Sequence, residues 1–271
     1  MTVLQSNSWV HAGLRLAKRT AGRSLYLPTE GPPPFQINLG GEWYVFCAIH
    51  KNASSSIRSI VESVPDLKRA EGQSIFNSLF LNHLARSRKE IARARHVMVF
   101  VRHPLDRVVS CFQNKFIQQK GNRTIFADYR AFTKRDPCKS SFEDFVSGYI
   151  TACFAGKPEV GGRHDRHIYT QRQQLLPVDY DVVKGVDEFD ETMERVGLAP
   201  LLPGRANATS GKVRGPDAWR LSAGELHEHC RKAGETPDKS CLLSDELVDQ
   251  INQLYWADLQ AFGHLFDKEA G

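Results

Sequence analysis

Basic and hydroxylated side chains are concentrated between His50 and Ser56, directly after a strongly apolar run. The cluster consists of Lys51, Asn52, Ala53, Ser54, Ser55 and Ser56. A helix that begins here would attract an anion, because its first N–H groups have no partner within the helix and carry the positive end of its dipole. Small side chains let the backbone approach the anion, and the hydroxyl groups add donors. The cluster predicts a phosphate-binding loop, the alternative being that Ser54 or Ser55 only caps the helix.

A second cluster lies at the end of another apolar run, where Arg102 is followed by Pro104, Arg107 and Ser110. Proline suits the first turn of a helix, so Arg102 is predicted to end a strand and Pro104 to open a helix. Ser110 would then lie about two turns further along. The paired donors of a guanidinium favour phosphate, and Arg102 and Ser110 are predicted to converge on a second phosphate group. Arg107 is expected to be exposed or ion-paired.

Both clusters follow short apolar runs, at residues 43–49 and 96–101, that are typical of strands buried on both faces in a parallel sheet. Further predicted elements are a helix over 57–64, a helix opened by Pro104, a helix over 141–150 capped by Ser141, a strand at 180–183, a helix over 187–196 closed by Gly197, and a terminal helix over 247–262. Strands that alternate with helices predict an α/β fold with a mainly parallel sheet. We expect a peripheral arm at residues 1–40, a single domain at residues 41–271, and a long loop at residues 200–216.

Together, the two clusters resemble the two phosphate-binding motifs of the sulfotransferases that use 3'-phosphoadenylyl sulfate (PAPS). The resemblance is narrower to the carbohydrate branch, which includes heparan sulfate 2-O-, chondroitin and dermatan sulfotransferases and bacterial relatives. Three further segments carry it, namely His167 to Gln171 (similar to His-Trp-x-Pro-Gln), Tyr180 to Glu188 (similar to Tyr-Asp-x-Val…Glu) and Tyr255 to Gly263 (similar to Tyr-x-x-Asp-Leu-x-x-Phe-Gly). The chain departs from the branch at His50 and Thr170, which leave the cofactor prediction intact, and at Ile168, because of which the identity of the acceptor is not carried over.

This resemblance implies a P-loop-NTPase-like three-layer α/β fold, with a mainly parallel central sheet flanked by helices. It also implies sulfuryl transfer from PAPS to a hydroxyl, without a metal, leaving adenosine 3',5'-bisphosphate (PAP). The loop from Lys51 to Ser56 would hold the 5'-phosphosulfate, with Lys51 at the leaving oxygen, and Arg102 and Ser110 would hold the 3'-phosphate. A loop folded over the nucleotide would contribute Arg205, Asn207, Thr209 and Lys212, the alternative being an ordinary connection.

Transfer to a hydroxyl requires a base that accepts its proton, and histidine or a carboxylate usually performs this step. His83 lies between the two phosphate motifs, where the heparan-type members place a catalytic histidine. His167 lies in the His-x-x-x-Gln segment. Both are predicted catalytic residues, and the neighbouring His164 and Asp165 are alternatives.

Two other functional classes compete with a sulfotransferase. A protein of the same fold could bind the nucleotide without turnover, although Lys51, Arg102 and Ser110 are all present. A kinase-like phosphotransferase fits poorly, because the loop lacks the GxxxxGK[ST] pattern of ATP-binding loops. The acceptor is expected to be a carbohydrate, a glycolipid or a small hydroxylated molecule, and the sequence leaves the oligomeric state open.

The bulk composition excludes several classes of protein. Lys and Arg number 36 against 31 Asp and Glu, a net charge of +5 that suits an anionic ligand but is too evenly spread to predict nucleic-acid binding. No apolar run reaches the roughly 18 residues of a membrane span, and no signal peptide is recognisable. A cytoplasmic location is therefore predicted, with a luminal Golgi domain lacking its anchor as the alternative. The 6 cysteines form no CxxC pair, which disfavours zinc, whereas Cys138 with Cys153 or Cys230 with Cys241 are candidate disulfides.

Overall fold

The computed structural model describes residues 32, 34–64, 82–155, 164–202, 211–213 and 217–266. The chain divides into two compact units. The first is drawn from Met1–Arg102, Gln171–Gly204 and His264–Gly271, and the second from His103–Thr170 and Arg205–Gly263. Each unit contains its own buried apolar core.

The strands are β1 (Phe35–Leu39), β2 (Glu42–Cys47), β3 (His96–Val101), β4 (Val182–Gly185), β5 (Gly211–Val213) and β6 (Thr236–Pro237). The α-helices are α1 (Ser54–Glu62), α2 (Arg88–Ala92), α3 (Pro104–Phe112), α4 (Arg123–Thr133), α5 (Thr151–Phe154), α6 (Gln171–Gln174), α7 (Phe189–Arg195), α8 (Ala223–Ala233), α9 (Asp245–Leu254) and α10 (Trp256–Phe262). Two π-helical segments are Gln113–Ile117 and Asp144–Ile150. Short 3-10 turns are Pro137–Lys139, Val186–Glu188, Ala199–Leu201, Ala218–Arg220, Lys239–Leu242 and Gly263–Leu265.

The first unit is built on a four-stranded sheet with the order β1-β2-β3-β4. β2, β3 and β4 run parallel, and β1 pairs antiparallel with β2. The turn between β1 and β2 is made by Gly40 and Gly41, both with positive φ (59° and 88°), a conformation that suits tight hairpins. The sheet is mainly parallel, as predicted, but the sequence analysis did not anticipate β1.

Side chains of β2 and β3 alternate between two apolar layers. Phe46 and Phe100 pack with helices α1 and α7 on one face. Cys47 and Val99 pack on the other face with Ile91 of α2. All five side chains are buried, so the prediction of strands buried on both faces is confirmed. The unit is therefore an α/β sheet flanked by helices.

The second unit is mainly helical around an aromatic core. Helix α3 continues into the first π-helical segment, and Phe112 stacks on Phe116 with their ring centroids 5.1 Å apart. Phe142 and Phe145 lie 5.1 and 5.5 Å from the ring of Phe112. The predicted cap is confirmed, because the hydroxyl of Ser141 accepts a hydrogen bond from the backbone N–H of residue 144.

Two predictions for the second unit are corrected by the structure. Arg107 was expected to be exposed or ion-paired; it is not exposed, since only 1% of it is accessible, and its guanidinium donates to the backbone carbonyl of His167. The terminal helix was expected to be continuous, but it breaks at Tyr255 into α9 and α10. Tyr255 is fully buried and its hydroxyl donates to the carbonyl of Ile168, an attachment that no helical periodicity reveals.

Among the helices that the structure describes, none is long and apolar enough to cross a membrane. The same described residues contain no group of three or more His, Cys, Asp or Glu that could hold a metal ion. Cys138, Cys153 and Cys230 are free thiols, so neither candidate disulfide is formed.

Candidate functional site

The loop that joins β2 to α1 has an unusual backbone. Lys51 and Ala53 adopt left-handed conformations, with φ of 68° and 55°, which cost a residue with a side chain about 1–2 kcal/mol. A left-handed residue next to a right-handed one turns successive N–H groups toward one side and makes an anion-binding concavity. Helix α1 begins at Ser54, so Ser54, Ser55 and Ser56 supply its first three N–H groups. The N-cap is Ala53 and no side chain caps the helix, so the alternative of a capping serine is wrong.

The side chain of Asn52 points into the protein rather than toward a ligand. Asn52 is 1% exposed, and its Nδ2 donates to the carbonyl of Phe100 at 3.0 Å and to Oε1 of Gln171 at 2.5 Å. These bonds tie the loop after β2 to the end of β3. Its backbone N–H also has a partner, the carbonyl of Ile49 at 3.2 Å, so Asn52 stabilises the loop from within.

Gln171 fixes the backbone of Arg102, the first residue after β3. Its Oε1 accepts the Arg102 N–H and its Nε2 donates to the Arg102 carbonyl, both at 2.9 Å. The primary amide therefore pairs with both backbone groups, as a neighbouring strand would. The guanidinium Nη1 of Arg102 donates to the carbonyl of Lys51 at 3.4 Å. Lys51 and Arg102, predicted to bind separate phosphates, are brought together at the carboxyl ends of adjacent parallel strands.

A second glutamine of α6 holds the start of the same loop. Gln174, which is fully buried, accepts the backbone N–H of His50 at 3.4 Å through its Oε1. The same oxygen is 3.3 Å from Nδ1 of His50, and because an amide oxygen only accepts, Nδ1 carries the hydrogen. The loop is thus pinned by two buried glutamines spaced three residues apart on one helix face.

His83 lies beside the edge strand β1 of the first unit. Its Nδ1 is 3.2 Å from the carbonyl oxygen of Gln36, and its own carbonyl accepts the Gln36 N–H at 2.7 Å. A carbonyl only accepts, so Nδ1 carries the hydrogen and the basic lone pair is on Nε2. The nitrogen of this half-buried ring that can accept a proton is therefore Nε2.

His167 forms a pair with Asp165 in the second unit. Its Nδ1 is 2.5 Å from Oδ1 of Asp165, which also accepts the backbone N–H of His167 at 2.8 Å. Asp165 is buried, and its carboxylate fixes the hydrogen on Nδ1 and the lone pair on Nε2. An aspartate that orients a histidine in this way also stabilises the imidazolium formed when the ring takes up a proton.

Two buried side chains hold the segment that carries this pair. Arg107 donates from Nη2 to the carbonyl of His167 at 3.1 Å, and Tyr255 donates to the next carbonyl, that of Ile168, at 2.7 Å. Burial raises the pKa of Tyr255 well above its ordinary value, so the hydroxyl remains a donor. Two consecutive carbonyls are therefore fixed by buried donors.

A second carboxyl group, that of Asp128, interacts with Asp165. Burial, and then the negative charge of Asp165, raise the pKa of Asp128, although its carboxylate also accepts a hydrogen bond from the backbone of Asp165. Proximity of two carboxylates favours protonation of one of them, so Asp128 holds its proton to higher pH than an exposed aspartate does.

A model of the sulfotransferase family matches residues 43–265, which include both predicted phosphate-binding clusters and both candidate bases. The chain belongs to the sulfotransferase family. No curated protein and no solved structure matches the chain. Transfer of a sulfuryl group is therefore the general reaction to which the geometry must be related.

The remaining predicted site residues of the sulfotransferase are distributed as follows. Ser110 is half-buried on α3 of the second unit. Lys212 lies in β5 of the same unit, where its backbone is described. Arg205, Asn207 and Thr209 lie outside the described residues.

Sequence reasoning missed the residues that position the sulfotransferase loop, Gln171 and Gln174. Gln171 was noticed only as the last residue of the His-x-x-x-Gln segment, and Gln174 was not noticed. Two glutamines three residues apart in a short helix were a weak signal, because their partners His50, Asn52 and Arg102 are far away in sequence.

Proposed function

We propose that this sulfotransferase uses PAPS as its donor and transfers the sulfuryl group in line to a hydroxyl of a carbohydrate or another hydroxylated acceptor. The observation that supports this proposal is the contact between Lys51 and Arg102, the residues of the two predicted phosphate motifs that lie in the first unit. The guanidinium of Arg102 contacts the backbone of Lys51, and one glutamine amide fixes the Arg102 backbone. Two cationic side chains thus lie at the carboxyl ends of β2 and β3, the usual position of ligands in an open α/β sheet.

The donor PAPS carries a phosphate at its 3' position and a phosphosulfate at its 5' position. The loop from Lys51 to Ser56 suits the phosphosulfate, because left-handed residues and the start of α1 present backbone N–H groups to an anion. Arg102 suits the 3'-phosphate, for which a guanidinium offers two parallel donors. The role of Ser110, which belongs to the second unit, stays a prediction from the resemblance.

During transfer, the acceptor oxygen forms a bond to sulfur as the bond between sulfur and the 5'-phosphate oxygen breaks. The electrons of that bond leave on PAP, and the ammonium of Lys51 stabilises the charge that develops there. The proton of the acceptor hydroxyl passes to a base and then to solvent.

Two predicted residues are candidates for this base, His83 in the first unit and His167 in the second. The partner of His167 is the buried carboxylate of Asp165, which stabilises an imidazolium, whereas the partner of His83 is a neutral carbonyl, so this local geometry favours His167. Replacing His167 by alanine should lower kcat by about 10²–10⁴-fold while leaving PAP affinity unchanged. His83→Ala is the matched comparison. If kcat falls in His83→Ala and not in His167→Ala, the base is His83.

Calorimetric titration with PAP, AMP and ATP tests the choice of donor. Because charge-assisted hydrogen bonds contribute about 1.5–3 kcal/mol, Arg102→Ala should weaken PAP binding by about 10–100-fold and bring it close to AMP binding. Arg195→Ala is the control, since that side chain is exposed on α7 and pairs with Glu191. Equal affinities for PAP and AMP in the parent would refute PAPS as donor.

A transfer assay with PAPS and a panel of hydroxylated sugars completes the test. Turnover that is lost in Lys51→Ala supports the proposal. Tight PAP binding without turnover on any acceptor would favour a nucleotide-binding protein, and preferential binding of ATP would favour a phosphotransferase.

A further inference from the structure

We propose that Gln171 is a positioning residue that sets the preference of this sulfotransferase for a 3'-phosphorylated nucleotide, a role that rests on the donor proposed above. Gln171 itself touches no ligand in this proposal. It acts by fixing Arg102 and the phosphate loop in one geometry.

The side-chain amide of Gln171 takes part in three hydrogen bonds, one buried and two partly buried. Oε1 accepts two donors, Nδ2 of Asn52 at 2.5 Å and the N–H of Arg102 at 2.9 Å. Nε2 donates to the carbonyl of Arg102 at 2.9 Å. One planar group therefore joins the loop after β2 to the residue after β3, and Gln171 is 0% exposed.

These bonds determine where the guanidinium of Arg102 can reach. With the backbone N–H and carbonyl of Arg102 both fixed, only its side-chain torsions remain variable. The contact between Nη1 and the carbonyl of Lys51 restricts those torsions further. A guanidinium held in advance loses less conformational freedom when it binds a phosphate, so a fixed Arg102 favours ligands with a 3'-phosphate.

Gln174 provides a matched control on the same helix. It is equally buried, at 0% exposure, and its Oε1 accepts the backbone N–H of His50 at the start of the loop. Gln171 holds the two backbone groups of Arg102 in addition to the loop. A purely structural role would make their replacements equivalent in nucleotide preference.

The experiment compares Gln171→Met with Gln174→Met, since methionine keeps the length of the side chain and removes the amide. Calorimetry gives the ratio of Kd for AMP to Kd for PAP in each variant. Because ordering one long side chain costs about 0.5–1.5 kcal/mol, we expect the ratio to fall about 3–10-fold in Gln171→Met and to stay within about twofold of the parent in Gln174→Met. Partial unfolding lowers both affinities together and does not change the ratio.

Gln171→Glu serves as a second variant, because it keeps the shape and one accepting oxygen while facing the Arg102 carbonyl with another oxygen. Its ratio should also fall. If either folded Gln171 variant keeps the parent ratio while the parent prefers PAP, the positioning role is refuted and the donor proposal stands. If the parent shows no preference for PAP, the donor proposal itself fails.

Discussion

Replacing Ala53 by glycine should lower the free energy of unfolding of the sulfotransferase little or not at all, although glycine normally destabilises a folded protein. Ala53 has φ of 55°, in the left-handed region, which costs an alanine about 1–2 kcal/mol and a glycine almost nothing. Two losses oppose this gain. Glycine gives the unfolded chain more freedom, worth about 0.4–1 kcal/mol, and the partly buried methyl group is worth up to about 0.8 kcal/mol. These terms give a net change between a loss of about 0.8 and a gain of about 1.6 kcal/mol, so a loss of a full 1 kcal/mol is not expected.

Ala127→Gly is the matched control, since Ala127 is exposed in the middle of α4. There the backbone is helical and glycine should cost about 1 kcal/mol. Urea unfolding followed by circular dichroism gives the free energy of unfolding of both variants, and an unchanged m-value shows that the unfolded state is comparable.

The expected result is that Ala53→Gly is more stable than Ala127→Gly by about 1 kcal/mol. A loss of stability in Ala53→Gly as large as that in the control would mean that residue 53 is not left-handed in solution. The concave backbone of the phosphate loop would then be refuted together with it.

Three further predictions concern the second unit. Burial and the charge of Asp165 raise the pKa of Asp128 in the folded protein. Ionised Asp128 therefore destabilises the folded state at a pH above that raised pKa, and this destabilisation disappears below about pH 4, the ordinary pKa of aspartate. Asp128→Asn should therefore raise Tm, measured by scanning fluorimetry, by about 1–3 °C at pH 7 and leave it unchanged at pH 4. An equal shift of Tm at both pH values would contradict this prediction. Tyr255→Phe should lower the free energy of unfolding by about 1–3 kcal/mol in urea, because the buried carbonyl of Ile168 loses its donor, and an unchanged value would show that water replaces it. Ser222→Ala removes the capping box at the start of α8 and should cost about 1 kcal/mol, whereas Ser222→Gly should cost only a few tenths.

Elements with a strong local signal could be predicted from the sequence. The apolar runs at 43–49 and 96–101 correspond to β2 and β3, because central strands of a parallel sheet need apolar side chains on both faces. The helical spacing after each run corresponds to α1 and α3. The loop between β2 and α1 could be located for the same reason. It had to lie between the continuous apolar run of the strand and the helical spacing of apolar residues that follows.

Other elements had signals that the sequence analysis overlooked. The pair Gly40 and Gly41 between alternating residues is a hairpin signal, and it would have revealed β1. Ser222 followed by Glu225 is a capping box, and Gly234 ends the same helix with φ of 72°, so both ends of α8 were marked.

The positioning residues could not be inferred from the sequence. The partners of Gln171 lie 119 and 69 residues away, at Asn52 and Arg102, and no local pattern relates an amide to such distant groups. Arg107 and Tyr255 are similar cases, because each donates to a backbone carbonyl, and carbonyls occur in every residue.

The late position of α6 along the chain has a consequence for biosynthesis. A ribosome delivers the phosphate loop and Arg102 well before it delivers Gln171, because the whole segment from His103 to Thr170 is translated in between. At about 5–20 residues per second, the loop waits several seconds for the amide that anchors it. During that interval β2 and β3 can pair, but the nascent sheet has neither β4 nor its two glutamines. We therefore expect the growing chain to acquire its proposed nucleotide binding only late, once α6 and β4 have left the exit tunnel.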